Sequence, residues 1–347
     1  MKKSRKKLGP EVIVFGLIAL FVITIAIFAS IPQQEKSSLP NLGKAPEIAG
    51  IKTWINSEPL TIENLKGKVV LADFWTYSCI NCIRTLPYLK DWHGKYKDKG
   101  LVIIGIHTPE FEFEKDYNNV RNAVEKYELK YAVAMDNDYA TWRAYKNSYW
   151  PRKYIIDKEG NIRYDHIGEG AYEETEKVIQ ELLQEPASST TNLSSGTDFS
   201  QIGTPELYLG YAFARAPLGN EEGFSTGNVV DYKYKEPVQG NTIYLSGEWK
   251  NEADRIISVN NSKIFLKYKA KNVNIVAGGE SKISTLLDGK PLSENAFGKD
   301  TVKEDQSAIS NISSHRLYNI VSTPDYGTHL LEIDASPGFE LYTFTFG

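Results

Sequence analysis

Two cysteines separated by two residues are the clearest chemical signal in this 347-residue sequence. Cys79 and Cys82 are its only cysteines, and they lie in the segment DFWTYSCINC. Such a pair can cycle between dithiol and disulfide, bind a metal or form a structural bridge. A bridge across two residues closes too small a loop to stabilise a fold much. A closed metal site needs four ligands, and no histidine lies three or four residues from either cysteine, although two thiols suffice for copper.

The cysteines stand where a buried strand meets a helix. The apolar run at residues 69–75 (VVLADFW) is typical of a central strand in a parallel sheet. After Cys79, apolar residues recur every three positions from Ile83 to Trp92, which predicts a helix that ends at Gly94. Cys79 would therefore lie in the first helical turn, where unpaired backbone N–H groups stabilise a thiolate. Cys82, one turn further in, would be more buried.

Two residues outside the pair support redox chemistry. Asp73 is an acid within the apolar strand, and burial would raise its pKa and make it a proton acceptor for Cys82. The alternative for Asp73 is a position at a solvated strand end. Pro151 opens a later strand, and we expect a cis Trp150–Pro151 bond that exposes the Trp150 backbone to a substrate strand. The alternative for Pro151 is the role of an ordinary turn proline.

The elements around these residues predict an α/β fold over residues 46–184. Strands and helices alternate and end with a hairpin and a last helix, which predicts a mixed sheet with helices on both faces. The hairpin should close at residues 159–161 (EGN). A second short hairpin is predicted at residues 51–62, with its turn at residues 56–57.

This segment resembles the thioredoxin superfamily, specifically its membrane-tethered, extracytoplasmic TlpA-like branch. The resemblance rests on LKGKVVLADFWTYSCINC, Pro87, the Trp150–Pro151 pair and the hairpin KYIIDKEGNI, in that order. It implies a thioredoxin fold and one role per position. The first cysteine attacks, the second resolves, the strand acid assists proton transfer and the proline is cis: Cys79, Cys82, Asp73 and Pro151.

The resemblance also implies a further acid. TlpA-like proteins often carry a glutamate just after the second buried strand, where this sequence has Glu110 with His107 close by. Surface solvation is the alternative role for Glu110. The predicted substrate-binding residues are Trp150, Pro151, Trp75 and Tyr77. The Cys79–Cys82 disulfide is the only redox group expected, with no other cofactor and no metal. CINC has neither the Gly-Pro of reducing thioredoxins nor the Pro-His of strong oxidants, so the loop leaves the direction of electron flow open. Of the two directions, we expect a reductant.

The N-terminus predicts a membrane anchor. Five basic residues in the first seven precede an uncharged apolar run from Val12 to Ile31. About 20 such residues cross a hydrocarbon core, whereas the apolar part of a cleaved signal peptide, the alternative, is shorter. Residues 1–31 are thus expected to form a basic cytoplasmic segment and a single transmembrane helix. Residues 32–45 would be a spacer, and everything after Ile31 would lie outside the cytoplasm.

The rest of the chain predicts a linker and a second domain. Residues 185–200 are rich in Ser and Thr, and residues 201–347 contain β runs separated by turns, one of them at residues 325–327. This pattern predicts an all-β sandwich or jelly roll. TPELYLGYAFA and GFELYTFTFG resemble the C-terminal domain of DipZ-like proteins, a jelly roll similar to carbohydrate-binding modules. Those proteins usually have a multi-span electron-transfer region in front, so a single anchor implies a separate membrane electron donor.

These features together predict an extracytoplasmic thiol–disulfide oxidoreductase. Its partners would be proteins with disulfides or thiols. A net charge of −4 argues against nucleic acid. The alternative is an extracytoplasmic binding protein. It would be either a copper chaperone that uses the two thiols, or an adhesion module with a glycan site in the C-terminal domain.

Overall fold

Two β-sheets built from consecutive parts of the chain organise the protein. The computed structural model describes residues 38–186, 190–191, 193 and 196–347. None of the helices in these ranges combines the length and the apolar run that a membrane crossing requires. The predicted anchor at residues 1–31 lies outside the described residues.

The first sheet belongs to an α/β domain. Its strands follow the spatial order β1-β4-β3-β2-β5-β6, in which β2, β3 and β4 are parallel and the other neighbours are antiparallel. The predicted mixed sheet is therefore confirmed. The elements are β1 (Trp54–Ile55), β2 (Val69–Trp75), α1 (Ile80–Tyr96), β3 (Leu101–His107), α2 (Tyr117–Lys126), β4 (Ala132–Met135), α3 (Ala140–Ala144), β5 (Arg152–Ile156), β6 (Ile162–Ile167) and α4 (Tyr172–Leu183).

Strand β2 lies at the centre of this sheet, and all of its residues are buried. Val70, Ala72 and Phe74 pack in a core with Tyr145, just after α3. Side chains alternate along a strand, so Asp73 belongs to the opposite face, on which α1 and α4 lie. Both faces of the sheet are therefore covered by helices, as the continuous apolar run predicts.

The two predicted hairpins have different outcomes. The hairpin of β5 and β6 is confirmed, because these strands pair antiparallel across the turn at residues 157–160. The hairpin at residues 51–62 is wrong, because β1 pairs with β4 instead. Asn56 lies in the left-handed region, and its side-chain amide donates to the carbonyls of Leu129 and Tyr131 at 2.9 and 3.1 Å. These bonds hold the segment beside the start of β4.

The second sheet forms a β-rich C-terminal domain. Its strands follow the path β14-β15-β12-β16-β11-β17-β10-β9-β8, with β13 on β12 and β7 on β17. The strands are β7 (Leu207–Tyr208), β8 (Val229–Tyr232), β9 (Ile243–Asn251), β10 (Ile256–Ser258), β11 (Ser262–Gly278), β12 (Ser281–Leu287), β13 (Lys290–Pro291), β14 (Val302–Glu304), β15 (Ser307–Ile312), β16 (Arg316–Ala335) and β17 (Glu340–Phe346).

The long strands β11 and β16 are the centre of this domain. One edge of β11 pairs with β9 near its start and with β17 near its end, while β16 follows its other edge. The turn predicted at residues 325–327 is wrong, because β16 continues through it. Ala270 and Asn272 of β11 face Gly327 and Ser322, so the intervening residues of β16 form a bulge. The jelly-roll topology stays a prediction.

Candidate active site

Cys79 lies where β2 passes into α1. It is the N-cap residue of α1, and its sulfur accepts a hydrogen bond from the Cys82 backbone N–H at 3.2 Å. Both cysteines are free thiols. Cys79 is partly exposed and Cys82 is fully buried. The predicted placement of the first sulfur at the helix N-terminus, with the second behind it, is confirmed.

Burial raises the pKa of both thiols. For Cys79, the carboxylates of Glu206 and Glu110 raise the pKa further, whereas the Cys82 side chain and backbone N–H act in the opposite direction. For Cys82, burial and the adjacent Cys79 raise the pKa well above its usual value, and the Asp73 charge adds to this. The sequence predicted a stabilised Cys79 thiolate, and thus a lowered pKa. This prediction is wrong, because the pKa of Cys79 is raised. Burial and two nearby acids outweigh the helix terminus.

Asp73 lies beneath the cysteines as a buried acid. It is fully buried, and in the described part of the chain neither carboxyl oxygen has a hydrogen-bond partner. Burial raises its pKa to about 7, and the charge of Lys153 opposes this rise. A carboxyl with this pKa can take a proton from a thiol and return it near neutral pH.

Lys153 is a site residue that the sequence reasoning missed. It pairs with Asp73 across the β2–β5 ladder, so both side chains lie on the same face of the sheet. It is fully buried, its ammonium lies 5.9 Å from the centre of the Tyr172 ring, and burial lowers its pKa. A lysine inside the apolar run KYII was the available signal. The strand register that places Lys153 opposite Asp73 cannot be read from the sequence alone.

The Trp150–Pro151 bond is cis, as predicted. Pro151 is buried directly before β5, and Trp150 is half-buried on the wall of the cavity beside Cys79. The Trp150 indole N–H donates to the Thr108 carbonyl at 3.1 Å and its ring packs on Trp142, with centroids 4.2 Å apart. These contacts hold the segment next to the exposed thiol.

Trp75 and Tyr77 do not present surfaces to a substrate. Trp75 is fully buried, and its indole approaches Gly105 of β3 so closely that a Cβ there would lie 2.8 Å from Nε1. Tyr77 is 4% exposed, stacks on His107 and donates its hydroxyl to the His315 carbonyl of the β-rich domain at 3.2 Å. Their burial corrects the predicted substrate contact, because both residues support the site from beneath.

Glu110 lies in the cavity as predicted from the resemblance. It is half-buried, and the Tyr208 hydroxyl donates to its Oε1 at 2.7 Å. Burial, with help from Glu114 and Glu206, raises the pKa of Glu110 to about 8. Neighbouring His107 is different, since complete burial lowers its pKa to about 3 and keeps the ring neutral.

The β-rich domain forms the second wall of the site. The cavity beside Cys79 has a volume of about 150 Å³ and is lined from both domains, by Glu110 and Trp150 on one side and Glu206, Tyr208 and Arg215 on the other. An aromatic cluster holds the domains together at this edge. Its members are Phe111, Phe113, Tyr208 and Tyr342.

Among the described residues, no three His, Cys, Asp or Glu side chains are arranged to hold a metal ion. The site consists of two thiols of unequal burial, a buried acid beneath them and a half-buried acid beside them. This arrangement can pass two electrons through a disulfide and move the accompanying protons.

Comparison with known proteins agrees with this class of site. The AhpC/TSA family matches residues 43–165, and the family described as Thioredoxin like C-terminal domain matches residues 204–347. Protein DipZ of Mycobacterium bovis is 35% identical over 322 residues, which cover 90% of this chain and 44% of that protein. The chain thus spans less than half the length of this relative.

Two shorter relatives match the α/β domain. Thiol-disulfide oxidoreductase YkuV of Bacillus subtilis is 31% identical over 141 residues, 40% of this chain and 94% of that protein. Thiol-disulfide oxidoreductase ResA of Bacillus cereus is 29% identical over 185 residues, 52% of this chain and 99% of that protein. The chain belongs to the thioredoxin-like thiol-disulfide oxidoreductases.

Proposed function

We propose that this protein is a membrane-anchored, extracytoplasmic reductant of protein disulfides that acts through Cys79 and Cys82. The observation that supports this most directly is the unequal burial of two free thiols above the unpaired Asp73 carboxyl. The partly exposed Cys79 sulfur can reach a substrate, and the buried Cys82 sulfur can only reach its neighbour. The membrane location rests on the N-terminal sequence, with its basic cluster and apolar run.

The reaction has two balanced steps. The Cys79 thiolate attacks one sulfur of a substrate disulfide; a mixed disulfide forms, and the other substrate sulfur leaves as a thiolate that takes up a proton. Asp73 then accepts the Cys82 proton, and the Cys82 thiolate attacks the Cys79 sulfur. The second substrate thiol departs and the Cys79–Cys82 disulfide remains. Two electrons pass to the substrate, and a separate dithiol donor at the membrane must restore the pair.

The raised pKa of Cys79 supports the reducing direction. A strongly oxidising pair has a stabilised reduced form, in which the first cysteine is held as a thiolate. Here burial, Glu206 and Glu110 all disfavour that thiolate. The disulfide is therefore favoured relative to the dithiol, and electrons flow outward to substrates.

For the C-terminal domain we propose a jelly roll that presents substrates to Cys79. Its residues Glu206, Tyr208 and Arg215 line the cavity beside the thiol, which supports a role in docking. A glycan attached to the substrate is one ligand that such a domain could hold.

Trapping of a mixed disulfide tests the proposal. Full-length Cys82→Ser protein, incubated with an oxidised disulfide protein such as insulin, should form a complex that dithiothreitol releases. Cys79→Ser is the matched control and should trap nothing. If Cys82→Ser also traps nothing, and the reduced wild type binds Cu(I) stoichiometrically without reducing insulin, the chaperone is the better description.

A further inference from the structure

Tyr208 joins the two domains at the redox site. It is the last residue of β7, where it pairs with Thr343 of β17, so its backbone belongs to the β-rich domain. Its side chain reaches the α/β domain, where the hydroxyl lies 2.7 Å from Glu110 Oε1. The same hydroxyl lies 3.4 Å from Oε2 of Glu206, which belongs to the β-rich domain. A tyrosine hydroxyl has one proton to donate, and the shorter distance gives it to Glu110.

We propose that Tyr208 is a positioning residue of the redox site, supplied by the β-rich domain. Its hydroxyl holds the Glu110 carboxyl on the wall of the Cys79 cavity and favours the ionised form of that carboxyl. The β-rich domain thereby sets the pH range over which Cys79 reacts. This inference rests on the proposed thiol–disulfide exchange and goes beyond it, because it assigns part of the redox site to the second domain.

The pKa of Glu110 is set by its burial, by the charges around it and by the hydrogen bond from Tyr208. Burial and the acids Glu114 and Glu206 raise the pKa of Glu110 to about 8, whereas the Tyr208 hydroxyl and the charge of Arg215 lower it. Burial and the adjacent acids raise the pKa of Tyr208, so Tyr208 stays protonated and remains a donor. Removal of the hydroxyl takes a donor from the carboxylate and must raise the pKa of Glu110.

Glu110 in turn acts on the nucleophile. When ionised, it raises the pKa of Cys79. Thiolate formation at Cys79 therefore becomes harder once Glu110 has lost its proton. The logarithm of the alkylation rate of Cys79 must then rise less steeply with pH above the pKa of Glu110 than below it. This break in slope reports the protonation of Glu110 through the thiol.

The Tyr208→Phe variant isolates the hydroxyl. The ring contacts stay available to phenylalanine, since the Tyr208 ring packs near Phe111 with centroids 6.3 Å apart and lies 4.2 Å from the Arg215 guanidinium carbon. Tyr342→Phe is the matched control. Tyr342 belongs to the same aromatic cluster, but its hydroxyl donates to Glu340 at 2.9 Å and not to Glu110.

The experiment measures the rate of iodoacetamide alkylation from pH 6 to 10. Full-length Cys82→Ser protein is the background, so Cys79 is the only thiol. The break in slope should lie near pH 8, the pKa of Glu110. Tyr208→Phe should move it upward by about 1 to 2 pH units, the shift expected when a hydrogen bond to a charged group is lost. Glu110→Gln should remove the break. Addition of Tyr208→Phe to Glu110→Gln should then leave the pH profile of the alkylation rate unchanged.

Each outcome is decisive. A Tyr208→Phe profile that matches the background and Tyr342→Phe overturns the proposal. If Tyr208→Phe loses its folded circular dichroism, Arg215→Gln at an exposed position tests the same carboxyl and must also move the break upward, because a positive charge is lost. An unmoved break there overturns the proposal equally. If the wild type reduces no disulfide at all, the proposed function fails, whatever the profile shows.

Discussion

Replacement of Asp73 by asparagine should change how stability depends on pH. The Asp73 pKa is about 7 in the folded protein, against an ordinary value of 3.8. The folded state therefore holds this proton more tightly than the unfolded state does. The contribution of Asp73 to stability is greatest below pH 4, falls as the pH rises through this interval and levels off above pH 7. The physical cause is the burial of a carboxylate without hydrogen-bond partners.

The magnitude follows from the size of this shift. A shift of about 3 pH units corresponds to about 4 kcal/mol at 1.36 kcal/mol per unit. Roughly 2.5 kcal/mol of this loss should develop between pH 5 and pH 8, because about two of the three units lie in that window. The Asp73→Asn variant has no carboxyl to titrate at this position and should not show this loss of stability. The variant also removes the negative charge of Asp73, which acts to raise the Lys153 pKa. The pKa of Lys153 therefore falls further, and this increases the contrast in the same direction.

Urea unfolding of the reduced protein at pH 5 and pH 8 measures this contrast. Tryptophan fluorescence is suited to it, because five of the six tryptophans lie in the α/β domain. Asp98→Asn, at an exposed carboxylate beyond α1, is the control and should behave like the wild type. Equal pH dependence in the wild type and Asp73→Asn would refute the reasoning, since the Asp73 carboxyl would then titrate alike in the folded and unfolded chain.

Two further substitutions, with Gly94→Ala as a comparison, test the supports of the site. Arg84→Ala removes the partner of the buried Glu169 carboxylate, 3.2 Å away, and should lower the free energy of unfolding by about 3 kcal/mol in urea titrations; an effect below about 1 kcal/mol would mean that the pair is not buried in solution. Gly105→Ala places a Cβ against Trp75 and should cost about 1–3 kcal/mol, whereas Gly94→Ala, in open space on α1, should stabilise by about 0.5–1 kcal/mol. Equal effects at the two glycines would contradict the packing described for β3.

Local sequence signals predicted the elements that carry the cysteines. The apolar run at residues 69–75 became the buried central strand, and the three-residue repeat became α1, which continues to Tyr96 beyond the predicted stop at Gly94. Pro151 proved to be cis. Each of these features depends on neighbours in sequence, so a single chain is enough to recognise it.

The parts that sequence did not predict depend on contacts between distant segments. The partner of β1 is β4, and Asn56 fixes it through carbonyls more than 70 positions away. The pKa of Cys79 is raised first by burial and further by Glu206 of the β-rich domain, which no spacing rule connects to the thiol. Lys153 needed the strand register to reveal its role. Such contacts follow from how whole surfaces pack and not from local periodicity.

The reduction potential of the Cys79–Cys82 pair tests the proposed reductant most directly. Full-length protein is equilibrated in dithiothreitol and glutathione buffers, and the oxidised fraction is read by alkylation and mass. A thiolate disfavoured by burial and two acids predicts a potential near the roughly −270 mV of thioredoxin. A value near the roughly −120 mV of a strong oxidant, or no reversible disulfide in any buffer, would contradict it.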